Sequence, residues 1–220
     1  MQSLLQKNKA FFIPYFLFLL AGGIVLLVFS KTEIHLDINR YHSSAANIIF
    51  SNLTSLGLGA TIIPVLLILA FIRFRYMIIS ITGFVIAFTL NDTLKAILHT
   101  PRPITVFAEL HQSLYLVANV EMFSWNGLPS GHTATAFCMF CLLAFYTKNN
   151  FWKFSCFLIA FFIGYSRMYL SEHFLQDVYL GSIIGVVAAL VAYLWVMNAR
   201  VFNKFAERLD KPLISLNKKK

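Results

Sequence analysis

Three short stretches of this 220-residue chain place ionisable side chains in otherwise apolar surroundings: 91–103, 128–133 and 166–177. Among the side chains they supply are the cations Lys95, Arg102 and Arg167, the imidazoles His132 and His173 and the carboxylate Asp177. Charges in or beside membrane-crossing helices are costly, so each is a candidate for a site. Three cations around a small space call for an anion with several oxygens. Phosphate fits, because arginine's planar fork binds two oxygens at once and lysine adds a mobile point charge. Pro129-Ser130-Gly131-His132 opens a helix, where free N–H groups and the positive end of the helix dipole favour an anion. Gly131 lets the backbone come close, and the Ser130 hydroxyl has a hydrogen bond to donate.

His173 and Asp177 lie four residues apart and share a helical face. The carboxylate then orients one ring nitrogen and leaves the other free to attack phosphorus. His132, arriving from another helix, is the candidate general acid for the leaving alkoxide. The cations would stabilise the equatorial oxygens, the task metal ions perform in many phosphoryl transfers, so neither metal nor cofactor is expected. Taken singly these residues have plainer readings. Lys95 or Arg102 alone would be a snorkelling side chain, and His173 with Asp177 would be half of a metal site without its remaining ligands. Asp92, one turn before Lys95, reads equally as its ion-pair partner or as a helix-stabilising contact. His99 reads as lining the pocket mouth, His35, His42 and His111 as interfacial histidines, and Trp125, Trp152 and Trp195 as belt residues.

The elements that must position these groups are membrane helices. With 59% hydrophobic residues, 12% charged and a mean hydropathy of +0.72, the chain is too apolar for a soluble domain. Its apolar residues form continuous runs of roughly 20, enough to cross a bilayer as helices and without the alternation of a barrel. The expected fold is an all-α integral membrane bundle of six transmembrane helices at 10–30, 53–72, 77–98, 130–147, 152–170 and 178–198. The first run is too long for a signal peptide and is followed by no small-x-small cleavage site, so an uncleaved helix is expected. Thirteen of the 18 Lys and Arg fall on one side of this arrangement, which predicts N-in/C-in. All three clusters then share one depth on the outer face. The net charge of +9 follows from that side and from a basic cytoplasmic tail at 199–220, beside anionic lipid, so nucleic acid is not implied.

The outer loop between helices three and four is long, and 107–117 has the loose periodicity of an interfacial helix. Cys138, Cys141 and Cys156 sit inside apolar runs as small hydrophobes. A single domain over 1–220 is expected, with its motif core at 91–180.

Lys95-x6-Arg102-Pro103, Pro129-Ser130-Gly131-His132 and Ser166-Arg167-x5-His173-x3-Asp177 together resemble the three-part signature of the type 2 phosphatidic acid phosphatase superfamily, which includes the vanadium haloperoxidases. The resemblance implies that His173 is the nucleophile, Asp177 its orienting partner and His132 the proton donor, with Lys95, Arg102, Ser130, Gly131 and Arg167 on the phosphate. It implies a metal-independent membrane lipid phosphatase of the cell envelope, multi-pass in the cell inner membrane, with its site on the periplasmic or extracellular side. The substrate would be a phosphomonoester or diphosphate on a lipid: undecaprenyl diphosphate, phosphatidylglycerol phosphate, phosphatidate or a lipid A phosphate. Partners would be that substrate and the membrane lipids, with no obligatory protein. The competing class is a non-hydrolytic transporter or flippase, which needs the cations but not the His173–Asp177 pair and calls for broken helices in repeated halves. A haloperoxidase holding vanadate fits the membrane setting poorly.

Overall fold

The computed structural model describes residues 2–57 and 59–213. In chain order the helices are α1 (Gln2–Lys7), α2 (Lys9–Val28), α3 (Lys31–Asn39), α4 (Ser44–Ser55), α5 (Gly59–Ile72), α6 (Phe74–Leu98), α7 (Pro103–Glu109), α8 (Gly131–Tyr146), α9 (Asn150–Tyr169), α10 (Leu175–Asn198), α11 (Arg200–Lys204) and α12 (Ala206–Leu209). Among the described residues there is no strand, only an isolated bridge between Pro101 and Trp125. Residues 214–220 of the basic tail lie outside the described residues.

Helix boundaries follow local chemistry. Ser30 and Glu33 form a reciprocal capping box at the start of α3: the Glu33 N–H donates to the Ser30 hydroxyl (3.2 Å) and the Ser30 N–H to the Glu33 carboxylate (2.8 Å). Ser43 caps α4 and Asn149 caps α9 through their side-chain oxygens. His99 closes α6 in the left-handed conformation (φ 39°, ψ 51°), and Pro101 just beyond prevents the helix from continuing.

Helices α2, α6 and α10 are long and apolar enough to cross a membrane, while Thr61–Ile72 of α5 and α8 are apolar but shorter. Leu17, Leu27, Ile63 and Phe88 point outward and stay exposed, Leu27 at 88%, whereas Arg102, Arg167, His173 and Asp177 are buried. That inversion of the soluble pattern is what a lipid environment imposes. The apolar core, with Phe11, Phe12, Phe137, Leu142, Phe157 and Val196, fills the half where α2 begins and α10 ends. The same end gathers basic segments: Lys153 Nζ donates to the Lys7 carbonyl, and Arg75 pairs with Asp210 at 2.9 Å.

The closest helix contact is between α8 and α10, and small residues create it. A Cβ on Gly181 would stand 2.6 Å from the Ser130 carbonyl oxygen, and one on Gly185 would stand 2.4 Å from that of Ala134. Gly-x3-Gly thus lets the two backbones touch, the device that substitutes for hydrophobic driving force between helices in lipid.

The segments that join the long helices differ from the sequence expectation. Residues 31–52, read only as a connection, form α3 and most of α4, and the predicted span at 53–72 begins only with α5. The loop helix is α7, at 103–109 rather than 107–117. Pro103 starts it at the first position, where its missing N–H costs nothing, and His111 ends it with φ 53°. The following residues are tied down from another element, by Asn39 bonding the backbone of Tyr115 on both sides.

Candidate active site

The three clusters meet where α6 and α9 end and α8 and α10 begin. A cavity of about 550 Å³ is lined there by Lys95, Arg102, Gly131, His132, Arg167 and His173, and its far wall is apolar, with Ile62, Phe84, Val85 and Phe88. Lys95 and Asn91 of α6 stand over the first turn of α8: a Cβ on Gly131 would approach Asn91 Nδ2 to 3.3 Å and Lys95 Nζ to 3.6 Å. Gly131 therefore keeps open the space between the lysine and the free N–H groups of α8. Asp92 lines the same cavity.

Asp177 is the structural centre of the motif. Its Oδ2 lies 3.2 Å from His173 Nδ1 and accepts the Phe174 N–H at 3.0 Å, while its carbonyl accepts the Ser130 N–H at 2.9 Å. One residue thus fixes the imidazole, the turn into α10 and the start of α8. In the neutral ring a proton on Nδ1 is donated to the carboxylate, which leaves the Nε2 lone pair unengaged by that contact. His173 is buried; burial, then Arg102, Arg167 and Lys95, hold its imidazole well below the usual histidine range, which favours the neutral ring.

Ser130, expected to donate to the anion, is fully buried. Its Oγ caps α8 by accepting from the Thr133 N–H (3.5 Å) and the Thr133 hydroxyl (2.9 Å). Arg102 and Arg167 meet on Glu172, the residue just before His173, which no motif position marks. Arg102 Nη1 reaches its Oε2 at 2.5 Å and Arg167 Nη2 the same oxygen at 3.2 Å. Burial raises the Glu172 carboxyl above its usual range while Arg167 and Arg102 pull it down, and burial lowers the Arg102 guanidinium against the pull of Glu172. Arg102 Nε donates to the Trp125 carbonyl (3.0 Å), and Arg167 Nη1 to Thr54 Oγ1 (2.6 Å). Among the described residues no group of His, Cys, Asp and Glu converges as metal ligands would.

His35, His42, His99 and Trp125 pack into this framework. His35 is buried against Phe107 and Phe174, with Nε2 3.2 Å from the Ser171 hydroxyl, and burial drops its imidazole to about 4. Asn39 donates to the same hydroxyl, so α3 holds the turn that carries Glu172 and His173. His42 packs between Tyr115 and Tyr169. His99 stacks on Trp125 with parallel rings (3°) and bonds Asn126, latching the loop that carries Arg102. A second cavity of about 550 Å³ shares His132, Arg167 and Phe123 with the first and adds Thr54, Glu121 and Glu172.

Comparison with known proteins identifies the family. The sequence model of the PAP2 superfamily matches residues 76–200. A lipid A 1-phosphatase from Porphyromonas gingivalis is 33% identical over 75 residues, 33% of this chain but only 17% of that protein's length. The crystal structure of LpxE from Aquifex aeolicus superposes with a TM-score of 0.66 at 29% identity, covering 74% of this chain and 93% of that one. A transmembrane PAP2-type phosphatidylglycerolphosphate phosphatase from Bacillus subtilis shares the fold, with a TM-score of 0.64 at 22% identity over 89% of this chain and 98% of its own. With the family match spanning more than half of its length, this all-helical membrane protein belongs to the PAP2 superfamily.

Proposed function

We propose that this protein is a metal-independent lipid phosphatase that works at the outer face of the cell membrane through a phosphohistidine. The observation that carries the proposal is the joint lining of one cavity by Lys95, Arg102, His132, Arg167 and His173, with Asp177 on the nucleophile. His173 Nε2 attacks phosphorus in line with the ester oxygen; a P–N bond forms as the P–O bond breaks, and His132 donates a proton to the departing alkoxide. Water, activated by His132 in its now neutral form, then attacks phosphorus and releases orthophosphate, which restores both histidines. Lys95, Arg102, Arg167 and the N–H groups of α8 stabilise the equatorial oxygens, charge that a metal supplies in other phosphatases. Ser130 contributes through the cap that holds α8 in place.

The apolar wall of the first cavity, from Ile62 to Phe88, suits a lipid chain that slides in beside α5 and α6 with its phosphate at the cations. Six spans, α2, α5, α6, α8, α9 and α10, with N-in/C-in topology are favoured by the basic segments meeting at the end opposite the cavity. In a diderm cell that puts the reaction on the periplasmic side of the inner membrane. Among phosphorylated lipids, lipid A 1-phosphate stands first because of the Porphyromonas relative. Undecaprenyl diphosphate, phosphatidylglycerol phosphate and phosphatidate complete the test panel.

Purified protein in detergent is expected to release orthophosphate from at least one of these lipids without added metal. Vanadate should inhibit, and His173→Ala should lower turnover by roughly 10⁴-fold or more. Lipid binding without phosphate release would leave the transporter reading in its place, and full turnover in His173→Ala would remove the nucleophile assignment.

A further inference from the structure

Glu172 takes no part in the reaction just outlined, yet it is buried and bonded to two of the three cations of the cavity. It is 3% exposed, and one oxygen, Oε2, receives both Arg102 Nη1 and Arg167 Nη2. The two guanidiniums come from sequence-distant elements, the loop before α7 and the end of α9, so the carboxylate ties them to each other. Its position is equally telling. Glu172 lines the second cavity and not the first, whereas Lys95, Gly131 and His173 line the first and not the second. The acid therefore backs the two arginines from the side away from the lysine and the nucleophile.

Such an arrangement has a definite electrostatic consequence. Lys95, Arg102 and Arg167 alone would present three positive charges to a phosphate dianion in a site of low dielectric, where charge interactions are several times stronger than in water. Glu172 removes one of the three. An oxyanion held equally well as substrate and as product adds nothing to turnover and delays release. We infer that Glu172 is the resident counter-ion of the cradle, a positioning residue that fixes Arg102 and Arg167 while weakening their hold on bound phosphate so that orthophosphate can leave. The inference rests on reading the cavity as a phosphate site.

The sign of one measurement separates this role from a merely structural one. Glu172→Gln keeps the size and a hydrogen-bond acceptor but loses the charge. Binding of inorganic orthophosphate and of sulfate to purified protein in detergent, measured by calorimetry, is expected to tighten about tenfold in this variant. Product inhibition should grow to match, with kcat and KM for a lipid phosphate both falling. Were Glu172 only a clamp, its neutralisation would loosen the arginines, and both anions would bind more weakly. Binding that is weaker or unchanged overturns the inference. Glu172→Met, which also removes the charge at similar length, carries the same test should the glutamine variant not fold, and weaker or unchanged binding there counts equally against the inference. The outcome is distinct from that of the phosphatase assay. Tighter anion binding in a protein that hydrolyses none of the lipids would sink the proposed function alone, whereas active enzyme with weaker binding in Glu172→Gln would sink the counter-ion alone. Protein that binds neither anion, as wild type or as Glu172→Gln, and hydrolyses none of the lipids refutes both.

Discussion

Along α6, Asn91 and a half-buried Lys95 turn toward the cavity, and the buried Asn91 Oδ1 has no hydrogen-bond partner. Across the cavity, between the end of α9 and the start of α10, the charged groups are tied to the protein. Glu172 holds two arginines, Asp177 holds His173 and Phe174, and Ser171 is fixed by His35 and Asn39. The contrast separates two jobs. The groups that hold the nucleophile are bonded from within, whereas Asn91 Oδ1 and, on the tied side, Arg167 Nε keep capacity to spare.

That division is open to direct attack from either side. Asp177→Asn disrupts the saturated flank at its centre: the amide cannot favour the same imidazole tautomer, and kcat should fall by roughly 10³ to 10⁴-fold. Orthophosphate affinity should hardly move, because the cations are untouched; a matching loss of affinity would mean that the flank does not act as a unit. Lys95→Met empties the open flank instead. Here kcat/KM should drop by roughly 10²-fold together with orthophosphate affinity, with little change in thermal stability. A stable variant with normal anion binding would place Lys95 outside the cradle. The smallest effect concerns the scaffold. Gly185→Ala, whose new methyl meets the Ala134 carbonyl, should destabilise by roughly 1–3 kcal/mol, while Leu27→Ala on the exposed face of α2 should stay within about 0.5 kcal/mol. Equal thermal shifts for the two would erase the difference between the inner helix pair and its sheath.

Much of this architecture can be read from the chain alone. The long apolar runs and their breaks locate the major helices to within a few residues, except for the second, because hydropathy fell only gradually between α4 and α5. Lys95, His132 and His173 are legible because charge in an apolar setting demands an explanation. Glu172 is not: its role depends on contacts with Arg102, 70 residues away, and with Arg167, and spacing within one motif says nothing of such a pairing. A tally of charges in the third cluster would have isolated it as the acid left without a task. His35 escaped for a related reason. An exposed and a buried histidine look alike in sequence, and only the packing of Phe107 and Phe174 around it tells them apart. The closeness of α8 and α10 was written in Gly181 and Gly185, a pattern that passes as ordinary apolar helix until both backbones are seen.

That backbone contact leaves the inner pair no slack. Neither helix is able to rotate or slide without moving Ser130 and Asp177 together, so the spacing of nucleophile and anion pocket is insensitive to what surrounds the bundle. The outward faces of α2 and α5, by contrast, carry exposed apolar side chains such as Leu17, Leu27 and Ile63. Lineages carrying this scaffold are free to retune those faces for thicker, thinner or stiffer membranes while the reacting groups keep their separation.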